Sequence, residues 1–286
     1  MSKIVVVGSL HYDIMLDAHH RPEKGETVMG TACHYKFGGK GGNQAIAASK
    51  AGATVSFAGA VGADEQGRFL LHVLQSAGVG CDAVEIIDTV PSGMSVAITD
   101  AEGDYGAVIV SNANQHISEK TFHDDIFWQH TGMLILQNEV PEVTNIAAST
   151  EARRRGISVL INAAPARQLH VDLEKNIDLL LVNAVEARDM SNITVNSLDT
   201  AMQAAEALAQ RFPQVVVTAG EHGVAWCESG NIAHSLEAKK ISLISTHGAG
   251  DCFTGVLSHA LSQKQSLADA VMLANDAAAR HVSQPR

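Results

Sequence analysis

Positive charge is in short supply: 20 Lys and Arg stand against 31 Asp and Glu, for a formal net charge of −11. Nucleic acids and anionic membranes are gripped by Lys and Arg that neutralise phosphates, so the balance argues against either as a main partner. Cysteine is scarce too. Cys33, Cys81, Cys227 and Cys252 are far apart, without a C-x-x-C pair or a histidine at metal-ligand spacing. Neither a zinc site nor a disulfide framework is indicated, and reduced thiols in a cytoplasmic protein are the expectation. Apolar runs are short, none reaching the length of a signal peptide core or a membrane span. Aromatic residues make up 4% and prolines number 6.

What is present is small and apolar. Hydrophobic residues make up 46% of the 286 positions, much of it alanine, beside 24 glycines. Such a composition suits helices packed closely on a sheet, and the length is ample for a core without staples.

The chain alternates between strand and helix signals. Ile4–Val7, Thr54–Val61, Met133–Leu136, Ile157–Ile161, Leu179–Val182, Val215–Thr218 and Ile241–Ile244 are short apolar runs of the buried-strand kind. Between them lie helical patterns: Asn43–Ala51 closed by Gly52, a helix opened by Pro141 and closed by Gly156, and two late helices near Cys252–Leu261 and Leu267–His281. Alternation of this kind calls for a three-layer α/β/α sandwich on a mostly parallel sheet. Segments of about 11–37 and 91–112 break the pattern, with turn residues and alternating side chains, and the second carries the hairpin turn Asp100–Asp104. They predict a small protruding β-sheet, a candidate lid, on one domain spanning 1–286.

The sharpest local feature is Thr246-His-Gly-Ala-Gly-Asp251, where the run 241–244 passes into a helix. Small residues at a strand-to-helix turn let backbone N–H groups converge on an anion, and the helix dipole adds positive potential. Asp251, in the first turn, can cap the helix, as Asp often does. It can equally take a proton from a hydroxyl attacking a phosphoryl group. A second cluster, Phe37-Gly-Gly-Lys-Gly-Gly-Asn43, leads into the helix from Gln44. Gly41 after Lys40 rules out a Walker A loop, and no G-x-G-x-x-G is present. The glycines admit a close ligand, while Lys40 and Asn43 can donate to hydroxyls.

Gly38-Gly-Lys-Gly-Gly-Asn43 with Gly52 and Gly62, and Thr246–Asp251, resemble the N-terminal and C-terminal signatures of the ribokinase-like (PfkB) carbohydrate kinases. Gly8–Asp13, Pro22–Thr27, Asn162–Ala166, Asn183–Glu186 and Thr218–Gly223 follow in the family's order, so the likeness spans nearly the whole chain.

The resemblance implies an ATP-dependent kinase of ribose or a related sugar. By similarity, Asp251 is the catalytic base, and the N–H groups of Gly248, Ala249 and Gly250 form an anion hole. His11, Asp13, Gly39, Lys40, Asn43 and Glu139 match sugar contacts. Asn183 and Glu186 match a motif that organises Mg2+ and phosphate, Glu186 acting on the metal through water. Thr218, Gly220, Gly223 and Asn275 match the nucleotide side. A homodimer joined through its lids is implied as well.

Two positions depart from the family pattern. His11 replaces the usual Asn, which bears on ribose specificity. Ser245 replaces an Asp that helps hold a monovalent cation such as K+, weakening that site. A nucleoside kinase of the same family remains open, although the lid holds few aromatics for a base to stack on: Tyr12, Tyr35, Phe37 and Tyr105. A non-catalytic sugar- or nucleotide-sensing protein would be favoured by loss of Asp251 or its glycine loop, and both are present.

Overall fold

Val5 and Val7 point to one side of a central sheet, while Ile4 and Val6 point to the other, and all four are fully buried. A strand apolar on both faces needs a layer on each, and a computed structural model of the chain supplies them. Residues 2–102, 105–239, 244 and 247–283 are described. The first part comprises β1 (Lys3–Val7), β2 (His11–Ala18), β3 (Gly30–Gly38), α1 (Lys40–Lys50), β4 (Thr54–Gly62), α2 (Glu65–Ser76), β5 (Gly80–Ile87), β6 (Met94–Thr99) and β7 (Tyr105–Val110). There follow α3 (Asp125–Trp128), β8 (Thr131–Gln137), α4 (Glu142–Arg154), β9 (Ser158–Asn162), α5 (Val171–Glu174), β10 (Leu179–Asn183) and α6 (Ala184–Ser191). The last are α7 (Leu198–Leu208), β11 (Gln214–Thr218), β12 (Gly223–Glu228), β13 (His234–Glu237), α8 (Ala249–Ser262) and α9 (Leu267–Val282).

The large sheet has the order β13-β12-β11-β10-β9-β8-β1-β4-β5. Neighbours are parallel from β5 across to β11, and β12 and β13 add an antiparallel edge. Residues of α1, α2, α8 and α9 cover the Ile4/Val6 face, and those of α4 and α7 cover the Val5/Val7 face. This is the α/β/α sandwich expected from the alternation. The chain leaves β1 toward β4 and β5, then returns to β8 on the other flank. Open α/β sheets bind ligands beyond the carboxyl ends of their strands at such a reversal.

The small sheet, β3-β2-β6-β7, stands apart from the large one. β2 runs parallel to β6, and its other pairings are antiparallel. The β6–β7 hairpin closes through residues 100–104, of which 103 and 104 lie outside the described residues. So do residues 240–243, which carry most of the strand expected over 241–244.

Helix α1 begins earlier than its sequence suggests. Glycine costs about 1 kcal/mol against alanine in a helix, which argues for a start after Gly42. Yet Lys40, Gly41 and Gly42 form its first turn. A Cβ on Gly41 would stand 2.7 Å from the Gly8 Cα, and one on Gly42 would strike the Phe37 ring. Close approach of α1 to the end of β1 therefore outweighs helix propensity.

Candidate active site

Gly39 caps α1 with φ 91° and ψ 127°, a conformation closed to other residues, and a Cβ there would meet the Ser9 carbonyl at 2.6 Å. The turn aims the Lys40 N–H at Glu139, whose Oε2 accepts it at 2.8 Å. The same oxygen accepts the Ser9 hydroxyl. Glu139 follows the end of β8 and Ser9 the end of β1, so this carboxylate bridges the two strands at the reversal.

One turn along α1, Asn43 Nδ2 donates to Asp251 Oδ2 at 3.3 Å, and Gln44 Nε2 donates to Asp251 Oδ1 at 3.0 Å. Asp251 lies in the first turn of α8 and is buried. Gly255 lets α8 come this close, since a Cβ there would stand 2.5 Å from the Ala48 amide nitrogen. Burial raises the Asp251 carboxyl to about 6, opposed by the Lys40 charge and the bonds from Gln44 and Asn43, with Glu139 adding to the rise. Lys40 thus acts on Asp251 through its charge and on Glu139 through its backbone.

Asp13 is the third residue of β2, inside the strand rather than at its end. Its Oδ1 accepts the Ser95 hydroxyl of β6 at 2.6 Å. Its carboxyl is also raised by burial, against the bond from Ser95 and the nearby His11. His11 is 3% exposed, its Nδ1 lying 3.9 Å from Glu139 Oε2.

Gly248, in the left-handed region at φ 74°, precedes α8. The first backbone bond of the helix runs from the Cys252 N–H to the Gly248 carbonyl. The N–H groups before Cys252 thus precede the helical ladder. A Cβ on Gly250 would meet nothing within 4 Å, so the space before this turn is open. His247, Gly248 and Asp251 line a cavity of about 610 Å³ together with Asn43 and Lys36.

The residues expected to border the nucleotide follow or end β10 and β11, except Asn275, which is on α9. Asn183 caps α6 with Oδ1 accepting from the Val185 and Glu186 N–H groups, and Glu186 accepts in return from the Asn183 backbone and side chain at 2.7 and 2.9 Å. This is a capping box, and the N-x-x-E spacing carries that signal by itself. Burial raises the Glu186 carboxyl, countered by the Asn183 backbone bond and by Lys40. Thr218 ends β11, and Gly220 and Gly223 follow with φ of 57° and 120°. Asn275 of α9 donates to the Glu237 carbonyl at 3.5 Å, tying its helix to β13. Ser245 lies outside the described residues.

Among the described residues no cluster of three or more His, Cys, Asp or Glu is placed to hold a metal. Mg2+ commonly keeps several waters and takes its other ligands from one or two carboxylates and substrate phosphates, a pattern that needs no such cluster.

The sequence did not single out Gln44, Gln137 or Ser95, and Asn162 entered only as the start of a family block, without a role. Gln44 donates to both Asp251 and Asn162 Oδ1, and accepts from Gln137 Nε2 at 2.9 Å. All three are buried. Buried amides on elements that meet at strand ends are the signal, and it is visible only after folding.

A family model described as pfkB family carbohydrate kinase matches residues 1–286. The chain belongs to this family. It is an ATP-dependent carbohydrate kinase. Ribokinase of Bacillus subtilis (strain 168) is 32% identical over 283 residues, covering 99% of this kinase and 93% of that protein. Deoxyribokinase of Salmonella typhi is 29% identical over 251 residues, covering 86% and 81%. The solved structure of Arabidopsis thaliana ribokinase complexed with ribose and ATP matches with a TM-score of 0.92 at 26% identity, covering 100% of the kinase and 94% of that chain. No helix among the described residues of the kinase is long and apolar enough to cross a membrane.

Proposed function

We propose that the kinase moves the γ-phosphoryl group of ATP to a hydroxyl of ribose or a closely related sugar, with Asp251 as the base. One observation carries the reading. The Asp251 carboxylate, at the mouth of α8, is held by Asn43 and Gln44, one turn of α1 beyond the Gly39–Lys40 backbone that meets Glu139. A raised carboxylate, a helix N-terminus and a set of sugar-type partners therefore meet at one strand-end cleft. The ribokinase names of its relatives support the substrate class.

In this reading Asp13 and Glu139 accept from neighbouring sugar hydroxyls, while His11, Asn43, Lys40 and the Gly39 backbone complete the cradle. The acceptor hydroxyl donates to Asp251. As its oxygen bonds to the γ-phosphorus, its proton passes to the carboxylate and the bond to the bridging oxygen breaks, releasing ADP. The N–H groups of Gly248, Ala249 and Gly250 face the charge that spreads over the phosphoryl oxygens, the largest kind of catalytic contribution at such sites. Thr218, Gly220, Gly223 and Asn275 border the nucleotide. Mg2+ would be held through water by Glu186, itself fixed by Asn183, and when bound would neutralise phosphate charge. K+ is a candidate activator on the family pattern alone.

The β3-β2-β6-β7 sheet serves as a lid that keeps water, the competing acceptor, from the cleft. It exposes Tyr35 and Val108, which the strand registers place on one face, an apolar surface suited to pairing two lids in a homodimer. The test is ATP consumption against pentoses, hexoses and nucleosides, with and without potassium. Ribose or a close relative should give the highest kcat/KM, and no acceleration by any sugar would defeat the proposal.

A further inference from the structure

In the proposed reaction the Gly248 N–H is the first of three donors that face the phosphoryl oxygens, and such donors act best when held in place beforehand. The helical ladder of α8 does not hold it, since its first bond starts at the Cys252 N–H. The other half of the same peptide is held instead. The Gly248 N–H and the His247 carbonyl share one planar trans unit, in which they point in opposite directions. His281 Nε2 lies 3.2 Å from the carbonyl oxygen. A carbonyl can only accept, so Nε2 is the donor, from the neutral ring protonated there or from the imidazolium. The bond therefore survives titration of the ring. With its carbonyl turned to α9, the peptide directs the Gly248 N–H away from that helix.

α9 is a firm support for this contact. Leu267, Ala270, Val271, Ala274 and Val282 along it are buried. The last turn of a helix leaves carbonyls without partners inside the helix. Here the Val282 carbonyl accepts the Ile244 N–H at 2.9 Å, from the segment that leads into the glycine turn. That segment is thus tied to the end of α9 at two points, by backbone at Ile244 and by a side chain at His247.

We infer that His281 is a positioning residue for phosphoryl transfer: its bond to the His247 carbonyl holds the Gly248 N–H at the angle from which it meets the phosphoryl oxygens. The inference rests on the sugar-kinase reading above and adds to it a residue that acts through a peptide group rather than on a substrate. Loss of the brace loosens one donor and leaves the sugar contacts in place. The cost therefore falls on the transition state and not on ground-state binding.

The test compares the wild type with His281→Leu, which removes the donor, and His281→Gln, whose amide can place a donor near the same point. Steady-state kinetics with ribose is joined to calorimetric binding of ADP alone and of ADP with aluminium fluoride, Mg2+ and ribose. The fluoride complex imitates the phosphoryl group in transfer. His281→Leu should lower kcat by roughly 10- to 100-fold, with the KM values for ribose and ATP within about threefold of wild type. Affinity for the fluoride complex should fall by a similar factor, and that for ADP alone by less than about threefold. His281→Gln should regain most of both losses. A merely structural role would weaken ADP and the fluoride complex alike, or leave His281→Gln as impaired as His281→Leu. Either result overturns the inference, as does an unchanged kcat in His281→Leu, and all three leave the sugar-kinase reading standing. A wild type without sugar-dependent turnover defeats both.

Discussion

Gln44 donates from Nε2 to Asp251 Oδ1 at 3.0 Å, joining the second turn of α1 to the first turn of α8. The same amide nitrogen donates to Asn162 at the end of β9, and its oxygen accepts from Gln137 at the end of β8. With two N–H groups and one carbonyl committed, this side chain cannot rotate without breaking bonds among four elements. Asp251 is therefore placed by the layer structure itself.

Asp251→Asn should lower kcat by several orders of magnitude while leaving sugar affinity, measured by calorimetry, within a few-fold of wild type. Its carboxyl is raised from 3.8 to about 6. Because the base must be ionised, wild-type kcat/KM should fall below about pH 6 with a one-proton slope. The folded state holds this proton more tightly than the unfolded chain does, so the group favours folding below 3.8 and loses that contribution as pH rises through about 6. Asp251→Asn should accordingly gain on the order of 1–3 kcal/mol at pH 8, fading toward pH 4, in urea titrations. Near-normal turnover in the variant would remove Asp251 from the chemistry.

Gln44→Leu keeps the bulk and removes every polar contact. Loss of the Gln44 bond, which lowers the Asp251 carboxyl, should move the acid limb of kcat/KM above the wild-type position. Stability should fall by about 1–3 kcal/mol, because Gln137 and Asn162 lose a buried partner. A pH profile identical to wild type would show that the contact does not tune the base.

The glycine turns were legible before folding because only glycine suits them: Gly39 at φ 91° and Gly248 at φ 74° occupy a backbone region other residues avoid. Buried strands and the late helices were legible from apolar runs and from caps. The start of α1 was not, since contact between Gly41 and the end of β1 exists only in three dimensions. Gln44 reads on paper as an ordinary helix residue; its importance arises when β8, β9 and α8 converge on it. The family signature marked Asn183 and Glu186 for metal and phosphate, yet their direct bonds form a helix cap. Any contact with a cation is built on that cap.

The lid proposal predicts assembly. At micromolar concentration, sedimentation should show a dimer, and Val108→Lys, which places charge on the exposed apolar face shared with Tyr35, should shift it toward monomer. The monomeric variant should show a raised KM for sugar and a larger share of ATP hydrolysed without acceptor, because the cleft is less shielded. A wild type that sediments only as monomer would end the pairing proposal without touching the chemistry.

Gly255→Ala tests how far the active site depends on helix spacing. The added Cβ would stand 2.5 Å from both the Ala47 Cβ and the Ala48 backbone nitrogen. Neither is the far end of a flexible side chain, so α1 and α8 must separate. Overpacking of this kind costs roughly 1–3 kcal/mol, more than the few tenths to one that alanine contributes to helix propensity, so the net change should be destabilising. Separation also stretches the contacts from Asn43 and Gln44 to Asp251, four residues before Gly255 on the same helix. A shift of about 1 Å in a reacting group can cost on the order of 100-fold in rate. Turnover should therefore fall by roughly 10- to 100-fold at temperatures where circular dichroism shows the variant still folded, with sugar KM changed far less. Full activity in a variant of lower stability would show that Asp251 keeps its place without the close approach of the two helices.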